Sequence, residues 1–313
     1  MPRTPLPPEL GGAAFSTADA YEAGLGRARL RGGDLMHPHH GVHAELSPDD
    51  DVVARCRRLL PALQPGRWFT HGTAARIWGI PLPHRYRPDE VLHVMSVGSG
   101  VAFRHRGTVG WVTSDAELDR RVVAGLPVVG PADVWCQLAN RDAVVPRRTI
   151  GHEWLVAAGD FLLTGPRTGG GRRGAPLCTI EDLRAAVDRR RGARGVRAVE
   201  QALADVRHPV DSSQETMLRL GLVAHGLPEP EVQLPILTRA GIRHADLGYR
   251  EARLLLEYQG DEHRTSRRRW LEDLTRIQLL QDAGNRVMMI GADDLHPSCA
   301  ALAARVRRAL SAS

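Results

Sequence analysis

The chain has 313 residues, with 42 Lys+Arg against 36 Asp+Glu, a formal net charge of +6, 42% hydrophobic and 4% aromatic residues. Its length predicts two domains. No apolar run approaches the ~18 residues of a membrane span, and the opening MPRTPLPPEL lacks the apolar stretch of a secretory signal, so a cytoplasmic protein with no membrane partner is expected.

Every cation is an arginine, because the sequence contains no lysine. Schiff-base catalysis, pyridoxal phosphate attachment and a P-loop are thereby excluded. Guanidinium stays charged and forks onto phosphate, so the basic balance suits a polyanion, although a GC-rich genome would also give an Arg/Ala/Gly-rich chain. Cys56, Cys136, Cys178 and Cys299 form no CxxC pair and read as reduced, buried thiols.

After a Pro/Gly-rich start to about Ala14, Ser16–Ala23 and Gly26–Arg31 predict a helix-turn-helix, with Arg27, Arg29 and Arg31 as candidate DNA-binding residues. The tract Met36–His43 (MHPHHGVH) predicts a hairpin or wing with exposed histidines, because Pro38 and Gly41 interrupt any regular metal-ligand spacing. Helices are expected over Val52–Leu63, within Phe69–Pro81 and from Gly130. Strands are expected over Val91–Val97, Val101–Arg104 and Gly107–Val112. The region 49–163 assembles no recognisable chemistry, and its tryptophans and His71 read as core and loop residues. Thr164–Gly174 (TGPRTGGGRRG) reads as a linker or long loop, followed by helical pattern after Thr179, whose spacing to Asp182 is that of a capping box.

From Asp211 onward the expected order is α-β-β-β-α-β-α. A capped helix carries Glu215 in its first turn, and strands over Glu231–Leu237, Ile242–Tyr249 and Arg253–Gln259 come next. A charged helix over Ser266–Gln281, a strand Arg286–Ile290 and a helix Leu295–Leu310 complete it. Glu257 and Gln259 are two residues apart and would share a strand face. Asp246 lies 11 positions before Glu257, a spacing that lets hairpin-connected strands set two carboxylates side by side. Adjacent buried carboxylates call for a cation, and Mg²⁺ prefers hard oxygen ligands, waters and a substrate phosphate. Plainer roles exist for each: Glu215 answering the helix dipole, Asp246 as a turn residue, Glu257 paired with Arg253 or Arg250. Arg264, Arg267, Arg268 and Arg269, followed by Trp270, are candidates for phosphate contact or a solvated face balanced by Glu272 and Asp273.

The helix glutamate in Gln214-Glu215-Thr216, the strand aspartate in Ala245-Asp246-Leu247 and the run Leu256-Glu257-Tyr258-Gln259 resemble the PD-(D/E)XK nuclease superfamily. Within it the likeness is to domains similar to the very-short-patch-repair endonuclease, over about 205–311. The resemblance implies a restriction-endonuclease-like mixed sheet flanked by helices. It implies Mg²⁺, with Mn²⁺ as a substitute, on Asp246 and Glu257. Glu215 supports the metal or its water, and His263 acts as general acid or base near the site. Gln259 stands where many members carry lysine; it can orient water but brings no positive charge. Arg219, one turn after Glu215, is expected to fix that carboxylate or meet phosphate.

Phe15–Val42, Phe69–Ala75 and Gly125–Pro131 resemble the AbiEi-type antitoxin architecture, a winged helix followed by a mixed domain, over roughly 14–163. The expectation is an α/β (α+β) protein with segments 1–48, 49–163, 164–204 and 205–313, acting as a metal-dependent DNA endonuclease. Paired cuts across a duplex would favour a homodimer. The rival is a non-catalytic DNA-binding regulator, an antitoxin or transcriptional repressor.

Overall fold

The computed structural model describes residues 5–46, 50–98, 100–141, 143–144, 148–168, 173–259, 267–295 and 298–312, apart from the side chains of 267–273. It is of mixed α+β class, as expected. The chain divides into two compact units, Met1–Ile150 with Gly192–Gly195, and Gly151–Arg191 with Val196–Ser313. Among the described residues no helix is long and apolar enough to cross a membrane.

The first unit opens with β1 (Phe15–Ser16), α1 (Thr17–Glu22), α2 (Arg27–Leu30), β2 (Leu35–His39) and β3 (Val42–Glu45). The Ser16 hydroxyl accepts the Asp19 N–H at 3.0 Å and the Asp19 carboxylate accepts the Ser16 N–H at 2.8 Å, a reciprocal cap that fixes the start of α1. The strands form a three-stranded sheet in the order β1-β3-β2, over a small core of Leu10, Phe15, Ala20, Leu25, Leu30 and Leu35. Two short helices and a hairpin therefore form where the sequence predicts them. The hairpin's histidines are not all exposed, since His43 is buried.

The rest of this unit comprises α3 (Val52–Leu59), β4 (Arg67–Phe69), α4 (His71–Trp78), β5 (Leu92–Val97), β6 (Thr108–Thr113), β7 (Arg120–Val123), β8 (Leu126–Val129) and α5 (Pro131–Leu138). The strands form a mixed sheet in the order β6-β5-β4-β8-β7. Val101–Arg104 is not a strand; Phe103 crosses β6 so closely that a Cβ on Gly110 would lie 2.0 Å from the Phe103 carbonyl oxygen.

The second unit begins with α6 (His152–Thr164), α7 (Ile180–Arg189), α8 (Val196–Asp205) and α9 (Ser213–Ala224). It continues through β9 (Glu231–Thr238), β10 (Gly241–Tyr249), β11 (Leu254–Tyr258), α10 (Arg267–Asp282), β12 (Arg286–Ile290), α11 (Ala292–Leu295) and α12 (Ala300–Ser311). Its sheet has the order β12-β11-β10-β9, with β11 and β12 parallel and the other pairs antiparallel. Leu218 and Leu222 of α9 and Leu302, Ala303 and Val306 of α12 pack on one sheet face with Leu247, Tyr249, Leu254 and Leu256. Leu280 of α10 packs on the other with Leu234, Ala245 and Leu255.

The β9–β10 ladder is irregular at one point. Leu247 and Val232 pack with the α9 core, yet Ala245 and Leu234, two residues away on the same strands, pack with the α10 core. A regular strand would keep each pair on one face. The exchange occurs at Gln233, whose φ is 47°, and Asp246; the flanking ladder pairs are Leu247↔Val232 and Ala245↔Leu234. The hairpin thus turns over at the residue that carries the candidate carboxylate.

Candidate active site

Glu257 lies one step beyond the ladder pair Leu247↔Leu256, so the register of β10 and β11 sets it across from Asp246. The two carboxylates are nearly inaccessible, with residue exposures of 1% for Glu257 and 8% for Asp246. Glu215, 5% exposed, comes to the same cluster from the first turn of α9, where Ser212 caps the helix. Burial and mutual repulsion act together here. The Glu215 and Glu257 carboxyls are pushed up to about 8 by burial first and then by the Asp246 charge. Asp246 is raised by burial, against the lowering pull of Arg276. The cluster therefore retains a shared proton near neutral pH.

Hydrogen bonds hold each member in place. Glu215 accepts the Ser212 hydroxyl at 2.8 Å, the Asp211 N–H at 3.1 Å and the Gln233 side-chain amide at 3.1 Å. The Gln233 amide is itself oriented by Arg173, whose Nη2 donates to its Oε1 at 2.7 Å. Asp211 pairs with both Arg173 and Arg167. Asp246 Oδ2 accepts the Tyr258 N–H at 2.8 Å. Arg276 of α10 is ion-paired to Glu257, lies 3.8 Å from Asp246 Oδ1 and donates to the His244 carbonyl at 3.1 Å. Glu257 Oε1 is buried with no hydrogen-bond partner among the described residues.

Among the described residues no group of three or more His, Cys, Asp or Glu side chains is set to hold a metal ion. Mg²⁺ asks less of a protein, since it is held by one or two carboxylates with waters and substrate phosphates completing the shell. Asp246 and Glu257 are the two carboxylates that could hold such a cation; in this structure the Arg276 guanidinium is paired to Glu257 and reaches toward Asp246, and Glu257 Oε1 is the acceptor left open.

Other predicted residues fall differently. Gln259 lies just past the end of β11 and is exposed, unlike Glu257. His263 and Arg264 lie outside the described residues, as do the side chains of Arg267, Arg268 and Arg269 in the first turn of α10. Arg219 requires a correction. It is 1% exposed and bound to Glu229 at 2.7 Å, to the Asp205 carbonyl at 2.7 Å and to Asp160 at 3.5 Å. It locks α9 against α6 and the end of α8 and is not offered to a phosphate. Arg27 and Arg31 are exposed on and just after α2, whereas Arg29 is paired with Asp34 at 2.7 Å with only 11% of its side chain accessible.

Sequence reasoning missed Arg276, Gln233, Arg173 and Arg167. The stretch 164–174 that reads as a linker carries two arginines bridged backbone to backbone and clamped on Asp211. In the first unit His71 lies in a buried polar core, in keeping with its reading as a core or loop residue. His71 (φ 49°) stacks on Trp111 with ring centroids 3.8 Å apart, Trp111 Nε1 donates to His93 at 3.0 Å, and Gln137 accepts the Thr70 hydroxyl at 2.7 Å. All but Trp111 are almost fully inaccessible, as packed core residues are.

No family model and no solved structure matches this chain. It is similar to two uncharacterised proteins of Mycobacterium tuberculosis, strains Oshkosh and H37Rv. Each is 28% identical over 286 residues, covering 90% of this chain and 94% of the relative. The likeness thus spans both units rather than the site alone.

Proposed function

We propose that the protein is a Mg²⁺-dependent DNA endonuclease of restriction-endonuclease-like fold and that the Glu215, Asp246 and Glu257 cluster is its active site. The single observation behind this reading is three buried carboxylates converging at the turned-over end of a mixed sheet, one of them with an unpaired buried oxygen. A fold does not bear such mutually repelling groups for stability, because each costs desolvation energy that Arg276 only partly offsets.

Asp246 and Glu257 would hold the cation, which when bound polarises the phosphodiester and acidifies an attacking water. Glu215, held by three donors, takes up or releases a proton at its Oε1/Oε2 edge. Arg276, ion-paired to Glu257, would bring a fixed positive charge beside the reacting phosphate. The test is cleavage of supercoiled plasmid and labelled single-stranded DNA with Mg²⁺, Mn²⁺ or EDTA. Metal-dependent nicking lost in Asp246→Ala and Glu257→Ala supports the reading, and metal-independent or absent cleavage refutes it.

A second reading, a DNA-binding regulator of AbiEi-like type, is favoured by one observation. The order β1-α1-α2-β2-β3 gives a short helix followed by a hairpin, with Arg27 and Arg31 exposed. Duplex binding in EDTA with steep salt dependence, and no cleavage, would select it.

A further inference from the structure

Arg276 stands where a cation shared by Asp246 and Glu257 would have to bind. Asp246 spends Oδ2 on the Tyr258 N–H, which leaves Oδ1 as its open acceptor, and Arg276 Nη1 lies 3.8 Å from that oxygen. Arg276 Nη2 is paired to Glu257 Oε2, while Glu257 Oε1 stays without a hydrogen-bond partner among the described residues. One guanidinium thus fronts both carboxylates. Two cations drawn to the same oxygens repel each other, so Arg276 and a divalent ion compete for this pair.

The other arginines around the cluster are held differently. Arg219 is 1% exposed and closed in by Glu229, Asp160 and the Asp205 carbonyl. Arg173 is fixed by Asp211 and by Gln233, each at 2.7 Å. Arg276 has one close carboxylate, one at 3.8 Å, and the His244 carbonyl 3.1 Å from Nη1. Its side chain is 35% accessible, against 11% for Asp246 and 1% for Glu257. A long side chain that is partly in water and paired unequally to two acids exchanges partners at low cost. Its departure also frees the carboxylate whose buried Oε1 it leaves unsatisfied.

We propose that Arg276 is an exchangeable counter-ion: it neutralises Asp246 and Glu257, gives them up to a divalent cation, and turns its guanidinium to the substrate phosphate. The inference rests on the nuclease reading and adds to it a coupling. A phosphate that draws Arg276 away favours the divalent cation at the carboxylates, and the reverse holds equally.

The test is Mn²⁺ titration of the full chain followed by electron paramagnetic resonance, under argon at about pH 8.5 to limit proton competition. Wild type is compared with Arg276→Gln, which keeps a donor for the His244 carbonyl without the charge, and Arg276→Lys, which keeps the charge. Arg276→Gln should bind Mn²⁺ about tenfold more tightly, and Arg276→Lys within about threefold of wild type. A purely structural arginine gives no such gain, because its loss weakens the site or leaves it unchanged. In wild type, Mn²⁺ should speed phenylglyoxal modification of Arg276, read by peptide mass spectrometry without any variant. Plasmid cleavage by Arg276→Gln should saturate at lower Mg²⁺ with kcat reduced about a hundredfold. Mn²⁺ affinity unchanged or weaker in Arg276→Gln, or modification that Mn²⁺ slows or leaves unaltered, overturns the exchange and leaves the nuclease reading standing. Full kcat in Arg276→Gln overturns the turn to phosphate. Wild type that binds no Mn²⁺ overturns the exchange and the cation site together. The expected Mn²⁺ pattern without DNA cleavage by wild type overturns the nuclease reading and leaves the counter-ion exchange standing.

Discussion

Glu257→Gln is the sharpest test of the electrostatics of the cluster. The Glu257 carboxyl rises from 4.5 to about 8 in the folded protein, so between those pH values the native state binds more protons than the unfolded chain. Unfolding free energy must therefore fall as pH rises through that window. At about 1.36 kcal/mol per tenfold change in proton affinity, that rise acting alone would cost about 5 kcal/mol. The proton is shared with Glu215 and Asp246, so removing one carboxylate should recover about 2–3 kcal/mol of it. The amide matches the carboxylate in shape, and its oxygen can still accept from Arg276. Urea unfolding followed by circular dichroism at about pH 5 and about pH 8.5 measures the difference. Wild type should lose stability over that interval, and Glu257→Gln should lose about 2–3 kcal/mol less. Parallel profiles for the two proteins would refute the claim that burial and neighbouring charge strain this carboxylate.

The packing sets further expectations. Arg219→Met leaves Asp160, 1% exposed, without its cation and should destabilise the protein by about 3–5 kcal/mol in urea unfolding. Gly110→Ala drives a Cβ to 2.0 Å from the Phe103 carbonyl oxygen and should cost about 1–3 kcal/mol, read as a lower Tm. Arg27→Ala and Arg31→Ala, both exposed, should each weaken duplex binding and reduce the salt slope by about one in fluorescence anisotropy. Arg29→Ala should instead lower stability by about 0.5–1 kcal/mol through loss of its Asp34 pair, with a smaller change in salt slope.

Much of the carboxylate cluster is legible in the sequence, because it depends on strand alternation and hairpin spacing. LLLEYQ places Glu257 inside a buried strand, and 11 residues of separation bring Asp246 across from it. The groups that surround the carboxylates are not legible. Arg276 sits in a charged helix where its sequence neighbourhood matches that of any solvated arginine, and only tertiary packing turns it onto Glu257. Arg167 and Arg173 lie in a Gly/Arg stretch whose composition argues for a linker, and their partner Asp211 is tens of residues away.

The unit boundary hides for a similar reason. α6 is apolar on nearly every side, so it shows no amphipathic period, and its attachment to the second unit is made by Asp160 with Thr216, Arg207 and Arg219. The β7–β8 hairpin turns through Ala124 and Gly125, both at positive φ. An Asn-Gly pair there would have announced the turn; Ala-Gly does not. The left-handed Gln233 has no sequence signal at all, yet it creates the site's kink.

Everything proposed for the site depends on Asp246 and Glu257 constituting a divalent cation site. Titration of Mn²⁺ into the free protein, followed by electron paramagnetic resonance and calorimetry, tests this without DNA. The expected result is one site, proton release on binding because the carboxyls give up their shared proton, and loss of binding in Asp246→Asn and Glu257→Gln. Binding that survives both substitutions unchanged, or no binding by the folded wild-type protein, would contradict it.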